Sequence, residues 1–216
     1  MPDQIIYPTG LGLKDLLAYG KTGMVLLDSS TDTVVKASMD GEWSDEMTRE
    51  RQIYERFVQR DGHKNILLYH GTFGTGIPLE YTPYGNIRSY LDEHPTNKKR
   101  KIRWALQIAE ALDFVHQCGV IHGDVDGSNG FNADIFALGS TLYEVMNESR
   151  PYAGLSDKNI LERYTKGRFP ETESLGIVGS IITKCWRGEY GDCKLVVHDL
   201  KGEPRYSDLY LVGMSP

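Results

Sequence analysis

His122, Asp124 and Asn129 lie within one short stretch, His122-Gly123-Asp124-Val125-Asp126-Gly127-Ser128-Asn129. Their spacing is that of a phosphoryl-transfer loop, H-R-D-L-x-x-x-N, with Gly123 in the arginine's place. Read without that pattern, Asp124 is also a suitable capping residue for a turn rich in Asp, Gly and Ser. Only four residues separate Asn129 from Asp134, which opens the run Asp134-Ile135-Phe136-Ala137-Leu138-Gly139.

A second group of candidates lies in the first third of the chain. Lys36 ends the β-prone run Thr33-Val34-Val35-Lys36, where a long cationic side chain either snorkels outward or meets an inward partner. Residues 44–60 begin with a capping serine and carry strong helix formers. Met47, Glu50, Tyr54 and Phe57 recur there at intervals of three and four, placing Glu50 on the apolar face. A carboxylate in that position needs a counter-charge, which Lys36 from the neighbouring strand supplies; the alternative is that Glu50 edges toward solvent beside Glu46 and Arg51. Gly20 and Gly23 precede the first apolar run and allow close backbone approach to phosphate oxygens, or form an ordinary turn. Gly20-Lys21-Thr22 is not a Walker A loop, because Asp15 stands where that motif requires glycine.

These residues need elements to hold them. Residues 24–27 and 33–36 flank the turn-rich Asp28-Ser29-Ser30-Thr31-Asp32 and predict a hairpin. Residues 66–72 and 77–81, joined by Gly74-Thr75-Gly76, predict a second, with Pro78 keeping its last strand short or local at its edge. The polar segment 82–86 reads as a hinge, and 87–91 as a short helix. Ile102, Leu106, Ala109, Leu112 and Val115 mark a helix over 101–116 that Cys118-Gly119 ends. Residues 134–146 are apolar almost all round, as in a buried helix, and further helical patterns cover 156–166 and 176–186. The expected class is α+β in two lobes: a β-rich part over 1–81, the hinge at 82–86, a helical part over 87–198 and a tail over 199–216.

Bulk composition narrows the function. The 216 residues are 40% hydrophobic and 25% charged, as in a folded globular protein, and the net charge of −6 argues against nucleic acid as the main partner. The basic run Lys98-Lys99-Arg100-Lys101 with Arg103 reads as a solvated helix end in preference to an import signal. Three cysteines without C-x-x-C spacing point to reduced thiols, no stretch approaches membrane-spanning length, and an intracellular location, cytoplasmic or nuclear, is expected.

In order and spacing the chain resembles the eukaryotic protein kinase-like family over residues 13–198. The resemblance rests on Gly20, Gly23 and Val25 against G-x-G-x-x-G-x-V, on Val34-Val35-Lys36, Glu50, Leu79-Glu80-Tyr81-Thr82, the 122–129 loop, Asp134 to Gly139 and Cys185-Trp186. It implies the two-lobed kinase fold and transfer of phosphate from ATP to Ser/Thr hydroxyls of a protein partner. Gly20 and Gly23 would then cover the phosphates, while Val25, Leu79 and the backbone at Glu80 and Thr82 hold adenine. Lys36, oriented by Glu50, would bind the α and β phosphates, Asp124 would take or orient the hydroxyl proton, and Asn129 would hold Mg2+.

The resemblance breaks between Asn129 and Asp134. The segment carrying D-F-G, the activation loop and A-P-E is missing, and with it the family's principal magnesium-binding aspartate. The helical lobe is thus expected to be truncated internally, transfer to be impaired, and apolar surface to be exposed at a cost in stability. A non-catalytic pseudokinase scaffold is the alternative expectation. A second is an aminoglycoside or choline kinase-like phosphotransferase, whose H-G-D-x-x-x-x-N loop His122, Gly123, Asp124 and Asn129 also fit.

Overall fold

The computed structural model describes residues 5–20, 22–121 and 130–202, so His122, Asp124, Asp126 and Asn129 lie outside the described residues. The chain divides into two compact units, Met1–Pro83 and Tyr84–Pro216.

In the first unit, β1 (Leu16–Gly20), β2 (Gly23–Asp28), β3 (Thr33–Ala37) and β4 (Ile77–Glu80) form an antiparallel sheet in that order, with α1 (Asp45–Val58) between β3 and β4 in sequence. Val25 pairs with Lys36, Lys36 with Ile77, and Val34 with Leu79. Because side chains alternate along a strand, these residues share one face of the sheet. Met24, Leu26, Val35 and Ala37 point the other way and are buried; Tyr7, Leu11 and Leu16 pack on the Met24, Leu26 and Ala37 cluster. On the first face, Ile77 and Leu79 join Met47 of α1, with Val34, Tyr54 and Tyr69 packed around them. Ser44 starts α1 by accepting a 3.1 Å hydrogen bond from the Met47 amide, which fixes the helix that carries Glu50.

Two parts of this unit depart from the sequence expectation. β1 is an additional strand: four of its five residues are exposed, so it lacks the alternation that marks a half-buried strand, and its register is irregular between Leu16 and Ala18. Residues 66–72 do not form the first strand of a second hairpin. Tyr69 faces Leu79 and Phe73 faces Gly76, so that arm carries one residue more than β4 between the two bridges. The extra residue, with Gly71 at φ 90°, makes a bulge that interrupts the ladder. What remains is the tight turn at Gly74-Thr75 and two bonds, His70 N–H to Pro78 O (3.0 Å) and Glu80 N–H to Leu68 O (2.9 Å). Pro78 lies in this edge strand of the regular sheet, where its missing N–H does least harm.

The second unit is helical: α2 (Ile87–Glu93), α3 (Lys98–Gln117), α4 (Gly130–Asn147), α5 (Asp157–Thr165), α6 (Ile177–Trp186) and α7 (Cys193–Lys201). Its core combines Ala105 and Ala109 of α3, Ile135, Leu138 and Leu142 of α4, Ile181, Ile182 and Cys185 of α6, and Val196 of α7. α4 and α6 approach closely because Gly139 has no side chain: a Cβ there would lie 2.7 Å from that of Cys185. The Trp186 indole N–H donates to Ser140 Oγ at 3.0 Å across the same contact.

α4 begins at Gly130, so the four residues between Asn129 and Asp134 belong to the helix. At about 1.5 Å rise per residue they advance only about 6 Å, far less than an extended connector would. Ile121 and Phe131, on either side of residues 122–129, are both exposed apolar side chains. α7 was not evident in the sequence; it runs past residue 198 and ends at Gly202, whose φ of 71° supplies the left-handed cap.

Candidate functional site

The first-unit candidates lie on the face of the sheet that α1 packs against. Lys36 Nζ lies 2.5 Å from Glu50 Oε2, joining β3 to α1, with the two side chains 24% and 28% exposed. Of the two readings of Lys36, the inward one holds, and Glu50 is its partner. A quarter of each group remains in water, so the pair is worth only about 1 kcal/mol or less to stability, but it holds the ammonium at a fixed point above the sheet. Tyr54, one turn beyond Glu50, has its phenol raised above the ordinary range, first by burial and then by the Glu50 charge.

Around Lys36 the sheet is less covered than on its other side. Val25 and Val34 are half-buried, whereas Met24, Leu26, Val35 and Ala37 opposite are at most 1% exposed. Leu79 is buried on the same face as Lys36. Gly23 opens β2 opposite Gly20 and must be glycine: its φ is 141°, and a Cβ would come within 2.2 Å of Ala37 O. Gly20 has open space at the corresponding position. Thr82 is exposed, and so is the Glu80 side chain, whose Oε2 accepts from the Leu68 amide at 3.3 Å. The fold thus brings Gly20, Gly23, Val25, Lys36, Glu50 and Leu79 onto one unit, with Glu80 and Thr82 at its end. A fixed ammonium beside apolar side chains and a glycine turn fits the phosphate and base portions of a nucleotide.

The remaining candidates belong to the second unit. Asp124 and Asn129 fall outside the described residues, so the structure does not place them. Asp134 does not fit as a substitute metal ligand. Its carboxylate is buried, 5% exposed, and Oδ2 lies 3.0 Å from His116 Nε2, with the Phe131 ring edge-on to the imidazole. This contact ties the end of α3 to the first turns of α4, the described elements that precede and follow residues 122–129 in the chain. His116 was not singled out in the sequence; its place at the close of a helical stripe gave no signal beyond an ordinary helix-end histidine. Among the described residues, no group of three His, Cys, Asp or Glu is arranged to hold a metal ion. No described helix is long and apolar enough to cross a membrane.

A sequence profile described as "Protein tyrosine and serine/threonine kinase" matches residues 18–130, just over half of the chain. The chain belongs to the protein kinase family. The match includes the glycine turn, Lys36, Glu50 and the 122–129 loop, and it ends at the first residue of α4. Its identity favours the protein kinase branch over small-molecule phosphotransferases. Among curated relatives, "Probable inactive leucine-rich repeat receptor kinase XIAO" of Oryza sativa subsp. japonica is 32% identical over 85 residues, 33% of this chain and 7% of that protein. "NUAK family SNF1-like kinase 2" of Rattus norvegicus is 25% identical over 115 residues, 51% of this chain and 16% of that protein. The chain therefore matches less than a fifth of the length of either relative.

Proposed function

We propose that this is a kinase domain that retains the nucleotide-binding half of the family's machinery and is impaired in phosphoryl transfer. The observation that carries the reading is the Lys36–Glu50 pair, formed at 2.5 Å in a chain of this family. On this reading Lys36 binds the α and β phosphates, Gly20 and Gly23 cover them, and Val25, Leu79 and the backbone at Glu80 and Thr82 hold the base, with 82–86 as hinge. Asp124 takes or orients the proton of a Ser/Thr hydroxyl on a protein substrate, a role commonly worth roughly 10²–10⁴-fold in rate. Asn129 is the remaining residue of the pattern for Mg2+. Bound magnesium-ATP supplies the phosphoryl group and neutralises charge as it is transferred.

The impairment follows from the missing D-F-G aspartate and from the burial of Asp134 against His116, which leaves that carboxylate occupied. The same absence supports a second reading, a pseudokinase that binds a protein partner without transferring phosphate. The test pairs magnesium-ATP binding with transfer of labelled phosphate to a generic protein substrate. Expected are binding that Lys36→Ala weakens by about tenfold or more and turnover far below the roughly 1–100 s⁻¹ of active protein kinases. Turnover within that range would overturn the impairment; absence of nucleotide binding would leave the scaffold reading.

A further inference from the structure

Five of the chain's 24 lysines and arginines occupy residues 98–103, although the whole protein carries a net charge of −6. They form the first turns of α3, where Asn97 caps the helix and the first turn itself holds no acidic residue. Cations at a helix N-terminus oppose the backbone dipole, and Lys99 and Arg103, four residues apart, repel one another on the same side. Among the described residues, Lys101 alone of the five meets a carboxylate, 2.6 Å from Glu148, and it also donates to Met146 O at 3.2 Å. Lys98, Lys99 and Arg103 are exposed, with no acidic partner among the described residues. The helical backbone and the tethered Lys101 also make the run a poor extended import signal.

A second feature adjoins this patch. Arg100 donates to the Tyr90 hydroxyl at 3.4 Å, and the Tyr90 ring stacks on His94 at 4.3 Å and meets Trp104 and Tyr84 edge-on. Tyr84 is 68% exposed. Unpaired cations beside partly exposed Tyr and Trp form the composition of a protein-docking surface: aromatic anchors bordered by charge.

We propose that this surface, formed by α2 and the first turns of α3, docks an acidic segment of a partner protein. Charge complementarity sets the sign of the occupant. The size of the patch selects its class: the exposed cations lie within residues 98–103, less than two turns of α3, a span close to one Debye length of about 8–10 Å that suits a short acidic segment and not a membrane plane or a long polyanion. The proposal goes beyond the nucleotide-binding reading and does not depend on it.

The full chain is titrated with a fluorescein-labelled, glutamate-rich peptide carrying one central leucine, with anisotropy as the readout. Saturable binding that weakens with salt is expected, falling about tenfold or more in the Lys99→Glu/Arg103→Glu double variant. Tyr84→Ala should weaken it by a smaller factor, and Lys36→Ala should leave it unchanged, which separates this result from any failure of nucleotide binding. The milder Lys99→Gln/Arg103→Gln variant, checked by circular dichroism, separates loss of charge from loss of α3. No binding, equal binding by both double variants and the parent, or tighter binding to phosphatidylserine vesicles or single-stranded RNA would overturn the proposal.

Discussion

Gly139→Ala tests the packing that joins two of the sequence's most family-like segments, Asp134 to Gly139 and Cys185-Trp186. The substitution gains about 1 kcal/mol of helix propensity and up to about 0.8 kcal/mol from burying a methyl group. Against this, the new Cβ would lie 2.7 Å from Cys185 Cβ, 3.3 Å from Ile182 O and 3.3 Å from Trp186 Cδ1. None of these is the free end of a flexible chain, so α6 must move away from α4 and strain the Trp186 N–H bond to Ser140. Overpacking of this kind costs about 1–3 kcal/mol, and so hard a contact belongs at the upper end. The net expectation is a loss of about 1–2 kcal/mol, or roughly 2–8 °C in the melting midpoint of a chain this size. Thermal unfolding followed by helical circular dichroism reads this directly. An unchanged or raised midpoint would refute the close-packed α4–α6 contact.

Ser44→Ala should cost about 1 kcal/mol by removing the cap on the Met47 amide, seen as lower urea resistance and faster hydrogen exchange in the first turn of α1. Because α1 carries Glu50, the same variant should also weaken any nucleotide binding that depends on Lys36. Burial pushes the thiols of Cys185 and Cys193 up to about 12 from an ordinary value of 9.0. The unfolded chain therefore loses these protons first, and stability should hold below about pH 9 and fall as pH rises from 9 toward 12. Burial raises the phenols of Tyr54 and Tyr164 in the same direction. Urea midpoints compared at pH 8 and pH 10 measure the effect; a flat profile would contradict it.

The sequence was most legible where one periodicity acted alone. The spacing of Met47, Glu50, Tyr54 and Phe57 traces the face of α1 closely enough to pair Glu50 with Lys36. The antiparallel β2–β3 hairpin followed from two β-prone runs and the turn chemistry between them, and the α+β class from the order of β-rich and helical parts. Legibility failed where tertiary context replaced pattern. β1 exposes most of its residues and so carries no alternation, and the 66–72 arm is interrupted by one extra residue at Gly71 that composition does not reveal. α7 was not assigned as a separate helix within the helical part over 87–198; it forms where Val196 and Val197 complete the core around α3. His116 illustrates the same limit in the site, since its meaning comes from Asp134, eighteen residues away. Asp124 and Asn129 remain sequence assignments, because they lie outside the described residues.

The proposed function pairs retained nucleotide binding with impaired phosphoryl transfer in a member of the kinase family. Calorimetric titration of the full chain with magnesium-ATP, in parallel with Lys36→Ala, addresses it most directly. The Lys36–Glu50 pair contributes little to folding, so the variant should remain folded while its nucleotide affinity falls by about tenfold or more. Equal affinity in the two proteins would contradict the role assigned to Lys36, and no heat of binding in either would contradict the claim itself.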